Sequence, residues 1–136
     1  MAFTCRSTTP STSTATATEN NFVITSTDDG ATASPDLKLW RNSSTPADND
    51  TIGNVIFTGN DSGGVATDYG HILTQITDVT NATEDSRMTF KTMAAGTLAD
   101  RLTINSGSVG IGTTNPNTTL TVAGTLSASG QITGNL

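Results

Sequence analysis

The side chains able to do chemistry in this chain are few. His71 is the single histidine and Cys5 the single cysteine, so neither a Ser-His-Asp relay nor a multi-histidine metal site can be assembled from one copy. The Cys5 thiol, in a polar stretch, has no internal disulfide partner. The carboxylates gather as Asp28/Asp29, Asp48/Asp50 and Glu84/Asp85. Two from different clusters could reach the separation used in glycoside hydrolysis, but Asp beside Asn, Gly or Thr is the usual composition of turns. Asp48-Asn49-Asp50 has the oxygen-rich character that suits calcium, without the terminal Glu of an EF-hand loop. Trp40 and Tyr69 are the candidates to stack on a sugar, and a lone Trp serves equally as the anchor of a thin core. Gly107, Gly110 and Gly112 are not followed by the Gly-Lys-Ser/Thr of a phosphate loop and read as turns. The expectation is a protein that is not an enzyme, uses no metal or cofactor, and works by contact.

Composition supports that expectation. Of 136 residues, 33% are hydrophobic and 4% aromatic, against about 45–50% apolar, glycine included, in ordinary domains. The core must be thin or shared between copies. Threonine is the commonest residue, which suits strands with a wet outer face. A net charge of −6 and a pI near 4.3 leave no electrostatic footprint for nucleic acid or an anionic membrane. No apolar run approaches the ~20 residues of a membrane helix, and the opening MAFTCRSTTP lacks the apolar stretch of a signal peptide. The expected setting is a host cytoplasm for assembly.

Three segments follow. Residues 1–21 are nearly all Thr, Ser, Ala and Asn and read as an extended docking arm, able to stretch as far as about 60–70 Å along a neighbour. Residues 22–105 read as a β body, with strands at Phe22-Val23-Ile24, Leu37 to Trp40, Ile52 to Thr58, Tyr69 to Val79, Arg87 to Thr92 and Arg101 to Ile104, separated by Asp/Asn/Gly turns. That spacing, with no helical period, predicts an antiparallel β-sandwich or jelly-roll-like body. Its expected core is Phe22, Leu37, Leu39, Val55, Phe57, Ile72, Ile76, Met88, Phe90, Leu102 and Ile104. Residues 106–136 read as a β stalk. From Leu120 every second residue is apolar or glycine through Val122, Leu126 and Ile132, with Thr, Ser and Gln between. So narrow an apolar row needs partners, and three copies round an axis would turn Leu120, Val122, Leu126 and Ile132 inward as the interface of an intertwined homotrimer.

The run Val109-Gly110-Ile111-Gly112-Thr113-Thr114-Asn115-Pro116, followed by Leu120-Thr121-Val122 and Gly124 and preceded by Ala99 to Ile104, resembles a segment common in fibre and spike proteins of tailed bacteriophages. The longer tip or self-cleaving chaperone domain into which it often leads there is not carried over. The series Leu39-Trp40-Arg41-Asn42, Pro46 to Asp50, Ile52-Gly53, Asp78-Val79-Thr80 with Glu84-Asp85, and Phe90 before Gly96 is similar to a module upstream of such segments in marine and freshwater phage structural proteins. The resemblance implies a structural protein on the virion surface. Of the two roles within that class, a trimeric capsid decoration or cement protein clamping the major capsid protein through the arm is favoured. The arm is long for the chain, and no aromatic-rich tip is present. The alternative is a short tail or collar fibre, a glycan-binding adhesin for a host surface glycan.

Overall fold

The structure, a computed structural model, describes residues 22–27, 29–31 and 35–131. The arm 1–21 with Cys5, the first member of the Asp28/Asp29 pair, and Ile132 lie outside the described residues. The chain divides into two units, residues 1–38 and 39–136. In the first, the described residues form no strand, and Phe22, Val23 and Leu37 are exposed. The strands expected at Phe22–Ile24 and Leu37–Trp40 are absent. Branched and aromatic residues suit a pleated surface, but a strand exists only where a neighbour completes its hydrogen-bond ladder.

The second unit is one six-stranded sheet. Its strands are β1 (Thr51–Asn60), β2 (Ala66–Asp78), β3 (Asp85–Ala94), β4 (Thr97–Asn105), β5 (Ser108–Ile111) and β6 (Leu120–Val122), and they lie side by side in chain order. The first four junctions are antiparallel, and β5 and β6 are parallel. The protein is therefore all-β, with a mixed sheet and no helix among the described residues.

The turns follow from local chemistry. Between β1 and β2, Asp61 accepts hydrogen bonds at Oδ1 from the amides of Gly63 (2.8 Å) and Val65 (2.9 Å), folding the loop back on itself. Asp78 Oδ1 accepts from the Thr80 amide at 2.7 Å and starts the turn into β3. The β3–β4 and β4–β5 hairpins turn on Ala95-Gly96 and Ser106-Gly107, with both residues of each pair at positive φ. That is the hairpin turn whose twist matches the strands it joins.

Two differences from the sequence reading concern architecture. All described strands belong to a single sheet, so this chain supplies one layer where a sandwich would require two. And the sheet runs on past residue 105: residues 108–122 provide its last two strands instead of the start of a stalk. The alternation from Leu120 forms only a three-residue strand, because the chain bends at Ala123-Gly124, where Gly124 has a φ of 147°. Leu126 follows in a non-strand stretch and is exposed.

Candidate functional site

Residues directly opposite each other on paired strands share a face of the sheet, and the face alternates along each strand. Following the register across the sheet, Val55 lies opposite Ile72, Ile72 opposite Phe90, Phe90 opposite Leu102, Leu102 opposite Ile111, and Ile111 opposite Val122. One apolar side chain from each of the six strands thus forms an unbroken row. A second row, one pleat further along, is Gly53, Thr74, Met88, Ile104, Val109 and Leu120. Phe57 extends the face beyond the first row on β1, opposite Gly70. No charged residue stands in either row.

Among the described residues of the second unit, nothing encloses this face. No hydrophobic residue among those described is buried. Phe57 is 55% exposed and Ile111 45%, and Val55, Met88, Ile104 and Leu120 are also exposed. The residues expected to form a body core therefore do not form one among the described residues. Val55, Phe57, Met88 and Ile104 are exposed on one sheet face, Ile72, Ile76, Phe90 and Leu102 are half-buried, and Phe22, Leu37 and Leu39 are exposed. The physical reason is that a single sheet has no opposing layer to bury its apolar side.

The same geometry unites two groups that the sequence kept apart. Leu120 and Val122, expected as a separate trimer interface, stand in the same two rows as the expected core. Val109 and Ile111 also belong to these rows, a strand signal that Gly110 between them and Gly107 and Gly112 on either side conceal by reading as turns. The signal was present in the alternation of Val109 and Ile111 about Gly110. At the β1–β2 end the face is indented by a groove of about 300 Å³ between Leu39, Val55 and Ile72. An adjoining one of about 310 Å³ lies among Pro46, Ile52, Ile76 and Val79, with Asp78 and Glu84 on its lining.

The opposite face is mixed, with polar and charged side chains beside Ile56 and Leu73, and is locally covered. Leu73, Thr89, Thr103, Gly110 and Thr121 are aligned across β2 to β6. Thr103 is fully buried and Thr89 nearly so. The crossover 112–119, which carries the chain from β5 to a parallel β6, packs against this row. A Cβ built on Gly110 would lie 2.5 Å from the Thr113 carbonyl oxygen. Gly112, at a φ of 72°, turns the chain out of β5, and its amide donates to the Arg101 carbonyl at 2.9 Å. Threonine and asparagine hydroxyls and amides then stitch the crossover: Thr121 Oγ1 accepts from the Asn117 amide at 3.1 Å, and Thr118 Oγ1 donates to the Leu120 carbonyl at 2.8 Å. The Gly-x-Gly-Thr-Thr-Asn-Pro spacing is thus the recipe for a short crossover against a sheet. It holds no phosphate cradle.

His71 lies on this face, opposite Ile56 on β1 and Lys91 on β3. Its Nδ1 is 3.3 Å from the Asn54 amide nitrogen and its Nε2 3.4 Å from Asp68 Oδ2. Accepting from Asn54 places the ring proton on Nε2, toward the Asp68 carboxylate. Lys91 pairs with Asp100, and Arg87 donates to Gln75 Oε1 at 2.7 Å. These are cross-strand polar pairs that knit the face.

The Asp48/Asp50 cluster is used by the fold. Asp48 Oδ1 accepts from the Val79 amide at 3.0 Å. Asp50 accepts from the Ala47 amide at 3.0 Å and pairs with Arg41 at 2.8 Å. Together they fasten the loop before β1 to the end of β2. Among the described residues no group of three or more His, Cys, Asp or Glu side chains is arranged to hold a metal ion. Trp40, 72% exposed, precedes β1, and Tyr69, 44% exposed, is on β2 with its ring against Gly59.

Hydrogen bonds from Arg41 and then from the Ala47 amide hold the Asp50 carboxyl below its usual range, and the Thr80 hydroxyl and amide do the same for Asp78. Because both folded values lie below the unfolded one, the stability they add is fully present above about pH 4 and is lost as pH falls through the lowered values. Asp50→Asn should therefore flatten the acid limb. Between about pH 5 and about pH 2 the wild-type melting temperature should fall further than that of the variant, read by thermal melts in matched buffers. Equal falls would remove Asp50 from the account.

Compared with known protein families and with curated proteins, the chain matches none.

Proposed function

We propose that this chain is a structural protein on the exterior of a tailed-phage virion. In this reading it is a homotrimeric capsid decoration or cement protein whose N-terminal arm, residues 1–21, runs over capsid subunits and clamps them. The observation that carries it is the uncovered apolar face: a chain with no hydrophobic residue buried among those described is built to be completed by other chains. The resemblance of the Val109 to Gly124 segment to phage fibre and spike proteins supplies the setting. The Thr- and Ser-rich arm supplies a means of attachment, since an extended polar segment adds contact area and backbone hydrogen bonds along a neighbour. In this reading the chain works by contact and not by catalysis: Asp48 and Asp50 fasten a loop, and His71 sits among cross-strand partners.

A second reading within the same class, a short tail or collar fibre that holds host glycan, draws on the exposure of Trp40 and Tyr69. Copy number and position on purified particles separate the two. Copies in proportion to the major capsid protein, with antibody label over the head, support decoration. A few copies at the tail or neck overturn it in favour of the fibre. Deleting residues 1–21 should leave a folded protein that no longer binds particles, measured by co-sedimentation with depleted virions. Undiminished binding would overturn the docking arm.

A further inference from the structure

From the groove at the margin of the sheet we infer a docking site for an arginine on an extended segment of another protein, its stem over Ile52, Ile76 and Val79 and its guanidinium at Asp78 and Asp85. This rests on the proposed function only in taking that protein to be part of the particle, and it adds a second point of attachment to that of the arm.

The register places the groove. One pleat past the second apolar row Ile76 stands opposite Ser86, and there the apolar face gives way to Asp78 on β2, directly opposite Asp85 on β3, with Glu84 next to it in the chain. Pro46 and Ile52 complete a space of about 310 Å³. That is at the small end of ligand pockets, about 300–1,000 Å³, and suits a side chain or two, not a folded element. Like charges directly opposite each other on paired strands destabilise a sheet. Asp78 keeps Oδ1 on the Thr80 amide, a neutral donor that leaves the charge in place. Among the described residues no ion pair relieves the two: Arg41 pairs with Asp50, Lys91 with Asp100 and His71 with Asp68, and Arg87 donates to Gln75. Departures of this kind from local rules concentrate at functional sites.

The chemistry of the occupant follows from the lining. A bare metal ion fits poorly, because no group of three or more ligand side chains among the described residues is arranged to hold one, and Pro46, Ile52, Ile76 and Val79 offer it only apolar surface. An organic cation with an apolar stem suits both halves of the groove. Residues directly opposite across antiparallel strands have Cα atoms about 4.5–5.5 Å apart. Over that spacing the planar fork of a guanidinium can donate to two carboxylates at once, which the point charge of a lysine does less well. The stem then lies on apolar surface, as long charged side chains do. Charge also names the source. A second copy repels, each carrying −6, and its other described cations are engaged as well: Arg101 donates to Thr92, and Lys38 has a partner. A different, basic segment is the complement.

The test is methyl and amide nuclear magnetic resonance of the full chain, titrated with the peptide acetyl-Thr-Ile-Arg-Ile-Thr-amide and with the same peptide carrying citrulline, which has arginine's shape without its charge. The arginine peptide should shift the methyls of Ile52, Ile76 and Val79 and the amide of Asp85, and citrulline should weaken binding about tenfold or more. Glu84→Gln combined with Asp85→Asn should weaken the arginine peptide as much and lower binding to depleted virions about tenfold. Its melting temperature should be unchanged or higher, because the opposed charges are gone. Equal affinity for both peptides, or shifts away from the groove, overturn the inference. So does a double variant that binds either the arginine peptide or virions undiminished, or one that melts lower, which would make these carboxylates part of the fold. Groove signals that move on Arg6→Gln in the free protein would put the chain's own arm there and overturn it too. Wild-type protein that takes the peptide in the groove but binds no virion overturns the proposed function and leaves the groove's choice of arginine standing. Protein that binds virions and takes no peptide in the groove does the reverse.

Discussion

Gly110→Ala should detach β5 and β6 from the sheet while β1 to β4 stay paired. A Cβ at this position meets the Thr113 carbonyl oxygen at 2.5 Å and its Cγ2 at 3.0 Å. The closer neighbour is backbone, so no rotamer change relieves it. It belongs to a crossover whose ends are fixed by the Val109 amide on the Thr119 carbonyl at 2.8 Å and the Ala123 amide on the Ile111 carbonyl at 2.9 Å. Overpacking of this kind costs about 1–3 kcal/mol, and the lack of a flexible partner puts the expected loss at about 3 kcal/mol. The local signature is the sharper test. Hydrogen exchange should accelerate at Val109 and Ala123, whose amides tie β5 to the β6 side, and at Gly112, whose amide bonds the Arg101 carbonyl of β4, and stay slow at the β2–β3 ladder. Protection unchanged at those three amides would show that the crossover yields, and would remove the stated reason for glycine here.

Phe90→Ala should act on assembly far more than on any one chain. Phe90 stands mid-row on β3, between Ile72 and Leu102. It is the largest side chain of its row, and in the proposed homotrimer other copies cover the row. Removing a large buried aromatic costs about 3–5 kcal/mol, and each trimer loses three. At about 1.4 kcal/mol per factor of ten, the trimer's formation constant should fall by at least about six powers of ten. The concentration for half-assembly, which scales as the inverse square root of that constant, should rise at least about a thousandfold. A dilution series followed by sedimentation and circular dichroism reads this directly. A shift under tenfold would mean that Phe90 is not enclosed, and would count against a homotrimer that covers this row.

The two substitutions probe features of unequal legibility. Strands β1 to β4 stand close to where alternation and turn chemistry put them: Val55 and Phe57 in phase, Ile72 and Ile76 in phase, and Asp/Gly or Asn/Thr clusters between. Alternation states that one face of a strand is apolar, but is silent on what that face meets. Hence the residues of one sheet face were divided between a body core and a stalk interface, and a second layer was expected that the described chain does not have. Glycine caused the other failures. Val109 and Ile111 carry a strand signal as clear as that of Val55 and Phe57, but Gly110 between them has no side chain to mark the outer face. After Leu120 the pattern continues through Gly124, where the backbone actually bends. Phe22-Val23-Ile24 shows the opposite error, a strand composition without a strand. No arithmetic on sequence spacing would have shown that Gly110 is glycine because Thr113 passes over it.

The order of the strands also governs how quickly this protein is made. Every junction joins strands adjacent in the chain, so the contacts that define the sheet are short in sequence, and hairpins close on a scale of about 1–10 µs. The search within one chain is therefore brief. In the proposed homotrimer, finishing the fold waits for other copies, and the slow step of refolding depends on how often chains collide. A nascent sheet with its rows bare meets its partners soonest where several ribosomes translate one message. Crowded synthesis, which endangers most β proteins, here shortens the time the apolar face spends in water.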